Sequence, residues 1–361
     1  MGDVVRTLPA LMALRAAYPS AHISWLTERA AAGVLDGHDG LDQVIQFPRE
    51  ALSEFLSKRR FAALCRALSE FVKTLRAERF DLVIDFHAIL KSGLISRASG
   101  APTRVSYAWP DSREFSWMFA NQRARLPDGK MSRYDRNAAL IDFLAIDAEV
   151  RDPPLKVDQA ARRRVARELR LAEAPILLHP GTSEGTSYKR YRPSGYAALA
   201  RELKRRRGLD SIVSAGGTAE ERALAEQIVA ASGGAARLAP ETPRLADLIA
   251  LIERARLFVG SDSGPLHIAT SIGIPAVQIL GPTDPIENEP RRGSRWERVR
   301  IQVPCSPCRR GCVPATCMSI IPHELVASAV FACLEETSKP RSTLRARSSG
   351  SQPLAIAQPW S

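Results

Sequence analysis

"LFVGSDSGPLHIATSIGIPAVQILGPTDP", residues 257–285, is the stretch that decides the fold. An apolar strand ends at Gly260, a Ser-Asp-Ser-Gly turn follows it, and a helix starts near Pro265. Proline suits the first turn of a helix, where its missing N–H costs nothing. A second apolar strand then ends in its own glycine turn, GPTDP. The pattern predicts two parallel strands joined by a helix, with both turns at the same edge of one sheet.

The first of these turns is typical of an anion site. Free backbone N–H groups at a helix start, together with the helix dipole, suit a phosphate, and His267 is close enough in sequence to reach the same anion. The alternative is that Asp262 and Ser263 only cap the helix. Because open α/β sheets bind ligands where such loops converge, we favour a site over a cap.

Two more strand–glycine–helix turns precede this one. "LLHPGTSEGTSYKRYRPSGY" (177–196) contains Lys189, which is suited to neutralise a diphosphate leaving group, although it is also compatible with an ordinary exposed lysine. "SAGGTAEERALAEQI" (214–228) contains Glu220 and Glu221, which either hydrogen-bond a ribose or complement the helix dipole.

The whole chain alternates short apolar runs with helical periodicity, which predicts parallel sheets covered by helices. At roughly 150 residues per domain, 361 residues indicate two domains. "RDPPLKV" (151–157) breaks the alternation, and the Ser-, Arg- and Pro-rich end has no periodicity. We therefore predict domains at 1–152 and 153–336 and a disordered tail at 337–361. Predicted strands are 22–26, 42–47, 80–86, 103–107, 175–180, 210–216, 255–260, 275–281 and 298–303; predicted helices are 7–18, 61–78, 134–145, 158–171, 194–207, 218–232, 245–254, 264–272 and 322–336.

Chemistry-bearing residues of the first half follow the strand at 80–86. Asp85, His87, Lys91 and Ser92 come directly after it, and Arg113 lies in a later turn. His87 is either a base or a structural histidine. The cations of this group favour an anionic acceptor over a neutral one, and we assign Lys91, Ser92 and Arg113 to acceptor binding.

The charge and composition of the chain indicate which classes of binding partner suit it. The net charge of +12 and the sequence pI of about 9.8 suit nucleic acid, an anionic membrane surface or a phosphorylated substrate. The basic runs at 162–164 and 204–207 lack the interleaved aromatic residues of a nucleic-acid groove, so we interpret them as solvated helix faces. Neither an apolar run of ~20 residues nor a secretory signal is visible, so we expect a cytoplasmic protein.

The opening "MGDVVRTLPAL" (1–11) predicts a tight turn at Gly2–Asp3 and a helix from Thr7. A glycine turn that leads into a helix normally follows a strand, and none precedes it here. We expect an upstream start that adds about ten apolar, β-branched residues, and hence that the first strand of this domain is missing from the sequence.

Together these motifs resemble the glycosyltransferases that include the ADP-heptose:lipopolysaccharide heptosyltransferases. "GDVVRTLPAL", "FDLVIDFHAILKSG", "WPDSREF", "HPGTSEGTSYKRYRP", "GSDSGPLHIA" and "LGPTDP" occur in the family's order over residues 1–335. "DFHAILKSG" and "DSREF" look most like the member that adds the first heptose to the Kdo region. The resemblance implies a GT-B fold: two Rossmann-like doubly wound domains facing a central cleft, the acceptor bound by the first and the nucleotide-sugar by the second.

The resemblance also implies an inverting transfer from ADP-heptose to an anionic lipid-linked acceptor, at the inner face of the inner membrane, with no catalytic metal. Asp3 would be the general base, and Lys189 with the 262–267 turn would stabilise the departing ADP. Alternatives are another sugar transferase or a nucleotide-sugar epimerase of the same fold, or a non-catalytic basic protein that binds nucleic acid or membrane. The residues implied for the donor are Thr182, Lys189, Glu220, Asp262, Ser263, Gly264 and His267.

"CSPCRRGCVPATC" (305–317) is a separate feature, which we call the cysteine cluster: Cys305, Cys308, Cys312 and Cys317. Four thiolates can bind zinc or a metal cluster tetrahedrally, but zinc motifs usually separate their two cysteine pairs by a longer loop. Disulfides are disfavoured in the cytoplasm. A structural metal and reduced thiols fit equally well, and we assign the cluster no catalytic role.

Overall fold

The computed structural model describes residues 1–127, 129–146, 155–170, 173–183, 185–308, 311–312 and 315–335. The predicted domain boundary at 152/153 and the predicted tail at 337–361 lie outside these residues. In the part of the chain that the structure describes, all strand pairs are parallel. No described helix is long and apolar enough to cross a membrane.

The first half has two separate parallel sheets. One pairs β1 with β2, and the other has the order β3-β4-β5. Helices connect the strands, as the alternating pattern predicts. The elements are α1 (Gly2–Ala17), β1 (Ser24–Glu28), α2 (Arg29–Ala32), β2 (Gln43–Phe47), α3 (Arg49–Ser57), α4 (Phe61–Ala77), β3 (Leu82–Ile84), α5 (Leu90–Ala98), β4 (Thr103–Tyr107), β5 (Gln122–Ala124) and α6 (Arg133–Asp142).

Helix α1 begins earlier than its sequence pattern predicts. The expected turn at Gly2–Asp3 was wrong, because both residues lie in the first turn of α1, where the Val5 N–H donates to the carbonyl of Met1. An aspartate suits this position because it complements the positive end of the helix dipole. Asp3 is therefore fixed by a helix rather than by a loop, and Arg6 lies one turn further along.

The second half contains one six-stranded sheet of order β11-β10-β9-β6-β7-β8. Its parallel strands bring the loops after β6, β7, β9 and β10 to one edge, as the sequence predicts. The elements are α7 (Gln159–Leu169), β6 (Ile176–His179), α8 (Pro193–Arg207), β7 (Ser211–Val213), α9 (Ala219–Ala231), β8 (Ala236–Leu238), α10 (Leu245–Glu253), β9 (Leu257–Ser261), α11 (Gly264–Ser271), β10 (Ala276–Ile279), β11 (Trp296–Val299), α12 (Thr316–Ser319) and α13 (His323–Glu335).

Helices cover both faces of this sheet. Successive strand residues point to opposite faces, so Leu178 packs in one buried cluster, with residues of α8, α9 and α13, while Leu177 packs in another, with residues of α7, α10 and α11. Val5 and Leu8 of α1 belong to the second cluster. The amino-terminal helix thus shares a hydrophobic core with the second half, and this packing holds Asp3 and Arg6 beside the start of α11.

Candidate functional site

Asp262, directly after β9, is the centre of the site. Its carboxylate is buried and accepts hydrogen bonds from Lys189 Nζ at 3.1 Å, Thr283 Oγ1 at 3.0 Å and Arg6 Nη2 at 3.4 Å. Burial alone would raise the pKa of Asp262. The charges of Lys189 and Arg6 outweigh burial and hold that pKa well below its usual range. The carboxylate is therefore ionised and connects loops that are distant in sequence.

His267, in the first turn of α11, is fully buried and lies between Arg6 and Asp262. Its Nε2 is 2.5 Å from Arg6 Nη2 and 3.7 Å from Asp262 Oδ1. Burial, with the adjacent Arg6 charge, lowers the pKa of His267 to about 4. The ring is neutral at pH 7, and since a guanidinium only donates, Nε2 is the acceptor and the proton lies on Nδ1. That Nδ1 has no hydrogen-bond partner among the described residues.

Ser263 precedes the first residue of α11, yet its side chain makes no capping hydrogen bond. Its hydroxyl is buried and has no hydrogen-bond partner among the described residues. Buried polar groups are normally satisfied, so a hydroxyl left free here favours a bound ligand over the capping alternative. Gly264 lies next to these groups, and a Cβ at this position would come within 3.0 Å of the Met1 sulfur.

Asp3 reaches this cluster through Arg6. Arg6 Nη1 donates to Asp3 Oδ1 at 3.3 Å, and Nη2 of the same guanidinium also donates to Asn288 Oδ1 at 3.3 Å. Arg133 Nη1 donates to the same Asp3 oxygen at 2.9 Å. The surrounding protein atoms would raise the pKa of Asp3, but the two arginine charges reverse this and lower it.

Arg6 and Arg133 are site residues that the sequence analysis missed. Arg6 follows Asp3 by three residues, so a helix extended to Gly2 would have put them on one face. Arg133 is the first residue of α6, whose cap is Ser132, and nothing local in the sequence connects it to Asp3. Its position is set by tertiary packing of α1 against α6.

The loop that carries Lys189 also contains Thr182. Lys189 ends a short 3₁₀ helix, Ser187–Lys189, and its side chain is 20% exposed. Thr182 Oγ1 accepts from Arg190 Nε at 3.2 Å, and Arg190 forms an ion pair with Glu220. Glu220 is thus joined to the Lys189 loop through Arg190 rather than directly.

Glu221 lies closer to the glycine turns than Glu220. A Cβ at Gly181 would come within 2.8 Å of its carboxylate, and a Cβ at Gly216 within 2.0 Å. The Glu220 side chain is 72% exposed. The two glycines therefore leave room for Glu221, which the sequence analysis weighed together with Glu220 for the ribose but did not assign to the donor.

The predicted acceptor residues have partners of their own. Lys91 forms an ion pair with Glu28 and lies over the ring of Phe47. Ser92 Oγ donates to Asp85 Oδ2 at 2.8 Å and accepts from the Ile89 N–H at 3.1 Å, at the start of α5. Arg113 and His87 are exposed. Among the described residues, no hydrogen bond or ion pair joins Lys91, Ser92 or Arg113 to Asp3.

The cysteine cluster lies beside the loop that follows β6. Cys317 is buried, Cys305 and Cys312 are exposed, and Cys312 lines a cavity of about 270 Å³ with Tyr188 and Arg190. Burial first, and then the neighbouring thiols, raise the pKa of Cys317. Within the described residues, no three histidine, cysteine or acidic side chains are arranged to hold a metal ion.

Comparison with known proteins agrees with this geometry. The family model of glycosyltransferase family 9 (heptosyltransferase) matches residues 68–317, more than half of the chain. The lipopolysaccharide core heptosyltransferase OpsX of Haemophilus influenzae is 22% identical over 296 residues, which cover 80% of this chain and 79% of that protein. Lipopolysaccharide heptosyltransferase 1 of Pseudomonas aeruginosa is 28% identical over 326 residues, which cover 85% of this chain and 83% of that protein.

A solved structure with the same fold is the E. coli heptosyltransferase WaaC with ADP, with a TM-score of 0.71 at 19% identity. It covers 92% of this chain and 97% of that one. The predicted α/β fold of the GT-B class is confirmed. The matched residues include the Lys189 loop and the turn at 262–267. The chain therefore belongs to glycosyltransferase family 9, the heptosyltransferase family, and is a glycosyltransferase.

Proposed function

We propose that this glycosyltransferase moves heptose from ADP-heptose to the inner core of lipopolysaccharide, in its Kdo region, with inversion at the anomeric carbon. The proposal depends on one observation: Arg6 joins Asp3, a carboxylate of the first half, to Asp262 and His267 in the turn of the second half. Asp3 can act as a base on one substrate, and the turn at 262–267 can bind the anionic part of another. Because Arg6 joins the two, the arrangement suits a reaction between two substrates.

The donor diphosphate is assigned to the start of α11 and to Lys189. Support comes from the unpartnered Ser263 hydroxyl, the helix dipole and the partly exposed Lys189 ammonium. Lys189 would neutralise charge on the departing ADP, so the scheme requires no metal ion. The ribose is assigned to the acidic pair Glu220 and Glu221, and Thr182 to the same donor site.

Asp3 is assigned as the general base. The acceptor hydroxyl gives its proton to the Asp3 carboxylate while its oxygen bonds to the anomeric carbon, and the bond from that carbon to ADP breaks. The lowered pKa of Asp3 keeps the carboxylate ionised at neutral pH, and its side chain is 60% exposed, so an acceptor can reach it.

The acceptor is proposed to be anionic and lipid-linked. Lys91, Ser92 and Arg113 are the residues we assign to it, and the net charge of +12 favours attraction to an anionic membrane surface. We accordingly propose a peripheral protein at the cytoplasmic face of the inner membrane.

Two measurements on the purified chain test this function. Thermal shift with ADP, UDP and GDP at equal concentration should give selective stabilisation by ADP, about 2.7 kcal/mol at a ligand concentration of 100 Kd. Incubation with ADP-heptose and Kdo2-lipid A should release ADP and add one heptose to the lipid by mass spectrometry. Preference for UDP or GDP would redirect the donor, and isomerised nucleotide-sugar without acceptor would indicate an epimerase.

A further inference from the structure

The two arginines on Asp3 differ in how freely they can leave it. The Arg6 side chain is 7% exposed and is also bonded to Asp262, His267 and Asn288. The Arg133 side chain is 35% exposed, and among the described residues its single hydrogen bond goes to Asp3. Arg6 is thus fixed, whereas Arg133 can exchange its partner.

The backbone of Arg133 is held while its side chain is free to turn. Its N–H donates to the carbonyl of Glu287 at 3.2 Å, and Ser132 caps α6 by accepting from the Asp135 N–H. A guanidinium has five N–H donors, and only one of them is used on Asp3. The remaining donors suit a bidentate contact with an incoming carboxylate or phosphate.

The charges of the site favour an anion. Two carboxylates face three cations here: Asp3 and Asp262 against Arg6, Arg133 and Lys189. His267 is neutral and adds no charge. These groups together therefore carry one excess positive charge. Because Lys189 and the start of α11 are assigned to the donor and Arg6 is fixed, Arg133 is the arginine on Asp3 that can take a second anion. This anion would lie next to the carboxylate that takes the acceptor proton.

We propose that Arg133 exchanges Asp3 for an anionic group of the acceptor, which both holds the acceptor and releases Asp3 to act as a base. This inference rests on the proposed function and deepens it. The anion is a carboxylate of a sugar acid or a phosphate, and the exchange couples acceptor binding to activation of Asp3. Arg133 is then a binding and positioning residue.

The test compares Arg133→Ala and Arg133→Lys with the wild-type chain. Arg292→Ala is the matched control. The Arg292 side chain is 76% exposed and pairs at 2.8 Å with Asp135, which lies on α6 like Arg133. Among the described residues, Arg292 has no contact with Asp3. The probes are the methyl glycoside of Kdo, its neutral methyl ester, and inorganic phosphate, each titrated calorimetrically without donor. Circular dichroism melting confirms that each variant is folded.

For the carboxylate probe we expect about 10- to 100-fold weaker binding in Arg133→Ala, partial recovery in Arg133→Lys, and no change in Arg292→Ala. The methyl ester should bind the wild type and Arg133→Ala equally. Loss of phosphate binding instead of carboxylate binding would assign the anion as a phosphate. If Arg133→Ala binds both anions as tightly as the wild type, the inference is overturned.

Transfer assays separate this inference from the proposed function. With the Kdo glycoside as acceptor, Arg133→Ala should raise KM by about 10- to 100-fold, as for binding, and should change kcat little. With the methyl ester, Arg133→Ala should transfer at least as fast as the wild type, because nothing displaces Arg133 from Asp3 in the wild-type chain. A lower kcat with unchanged KM would show that Arg133 only orients Asp3. Arg133-dependent binding without any transfer would reject the function and leave the anion site standing.

Discussion

Replacing Asp262 by asparagine removes the charge that holds the site together. The carboxylate is buried and faces Arg6 and Lys189, of which Arg6 is almost completely buried. Removing one partner of a buried pair leaves the other charge uncompensated and typically costs about 3–5 kcal/mol. We expect Asp262→Asn to lower the free energy of unfolding by this amount, a large part of the stability of an ordinary domain.

The assay is urea unfolding at pH 7, followed by circular dichroism, with Asp42→Asn as the control. Asp42 accepts a 2.5 Å hydrogen bond from Arg15 but is 41% exposed, so its loss should not be resolved from experimental error. The double variant Arg6→Met/Asp262→Asn should be more stable than Asp262→Asn alone, because the buried guanidinium that lost its Asp262 partner is gone. Equal stability of Asp262→Asn and the wild type would refute the reasoning.

The pH dependence of this effect has a defined sign. The pKa of Asp262 is lowered in the folded chain, so its stabilising contribution is fully present above the unfolded pKa of about 4 and is lost as pH falls toward the folded value. The difference in unfolding free energy between the wild type and Asp262→Asn should be constant from pH 5 to 8 and should narrow below about pH 4. A difference that widens in acid would contradict the assignment of this carboxylate as ionised.

Three further predictions address other groups. Burial lowers the pKa of His179 to about 4, below the unfolded value of about 6.5. The free energy of unfolding should therefore fall by up to about 3 kcal/mol as pH decreases from 6.5 to 4, because only the unfolded chain takes up the proton readily. His179→Gln should flatten this decline in the urea midpoint, and an unchanged slope would disprove the assignment. Lys189→Ala should lower kcat by about 10²- to 10³-fold, whereas an unchanged kcat would make the lysine dispensable. Elemental analysis of chelator-free protein decides between the two accounts of the cysteine cluster: near-stoichiometric zinc would establish a structural metal, and a value near zero would leave reduced thiols.

Much of the second half could be predicted from its sequence because local signals agree there. Apolar strands, glycine turns and proline at helix starts specify β6, α8, β9 and α11, and their bounds differ from the predictions by one or two residues. The edge strands β5 and β8 were missed, since three-residue segments such as Gln122–Ala124 show no clear alternation of apolar residues.

The site was predictable where its residues follow strands of one sheet. Asp262, His267 and Lys189 follow strands of one sheet, so topology alone indicates that they converge. Arg133 could not be found this way, because its contact with Asp3 depends on how α6 packs against α1. Arg6 was missed for a simpler reason: the glycine at position 2 was interpreted as a turn, which removed the helical spacing between Arg6 and Asp3.

The most direct test of the account is Asp3→Asn, with transfer and ADP binding measured on the same preparation. Loss of a general base should lower kcat by about 10²- to 10⁴-fold, while ADP affinity should stay unchanged because Lys189 and the start of α11 are intact. Asparagine keeps an oxygen for Arg6 and Arg133, so folding should be preserved. Transfer at the wild-type rate in this variant would contradict Asp3 as the base and the mechanism built on it.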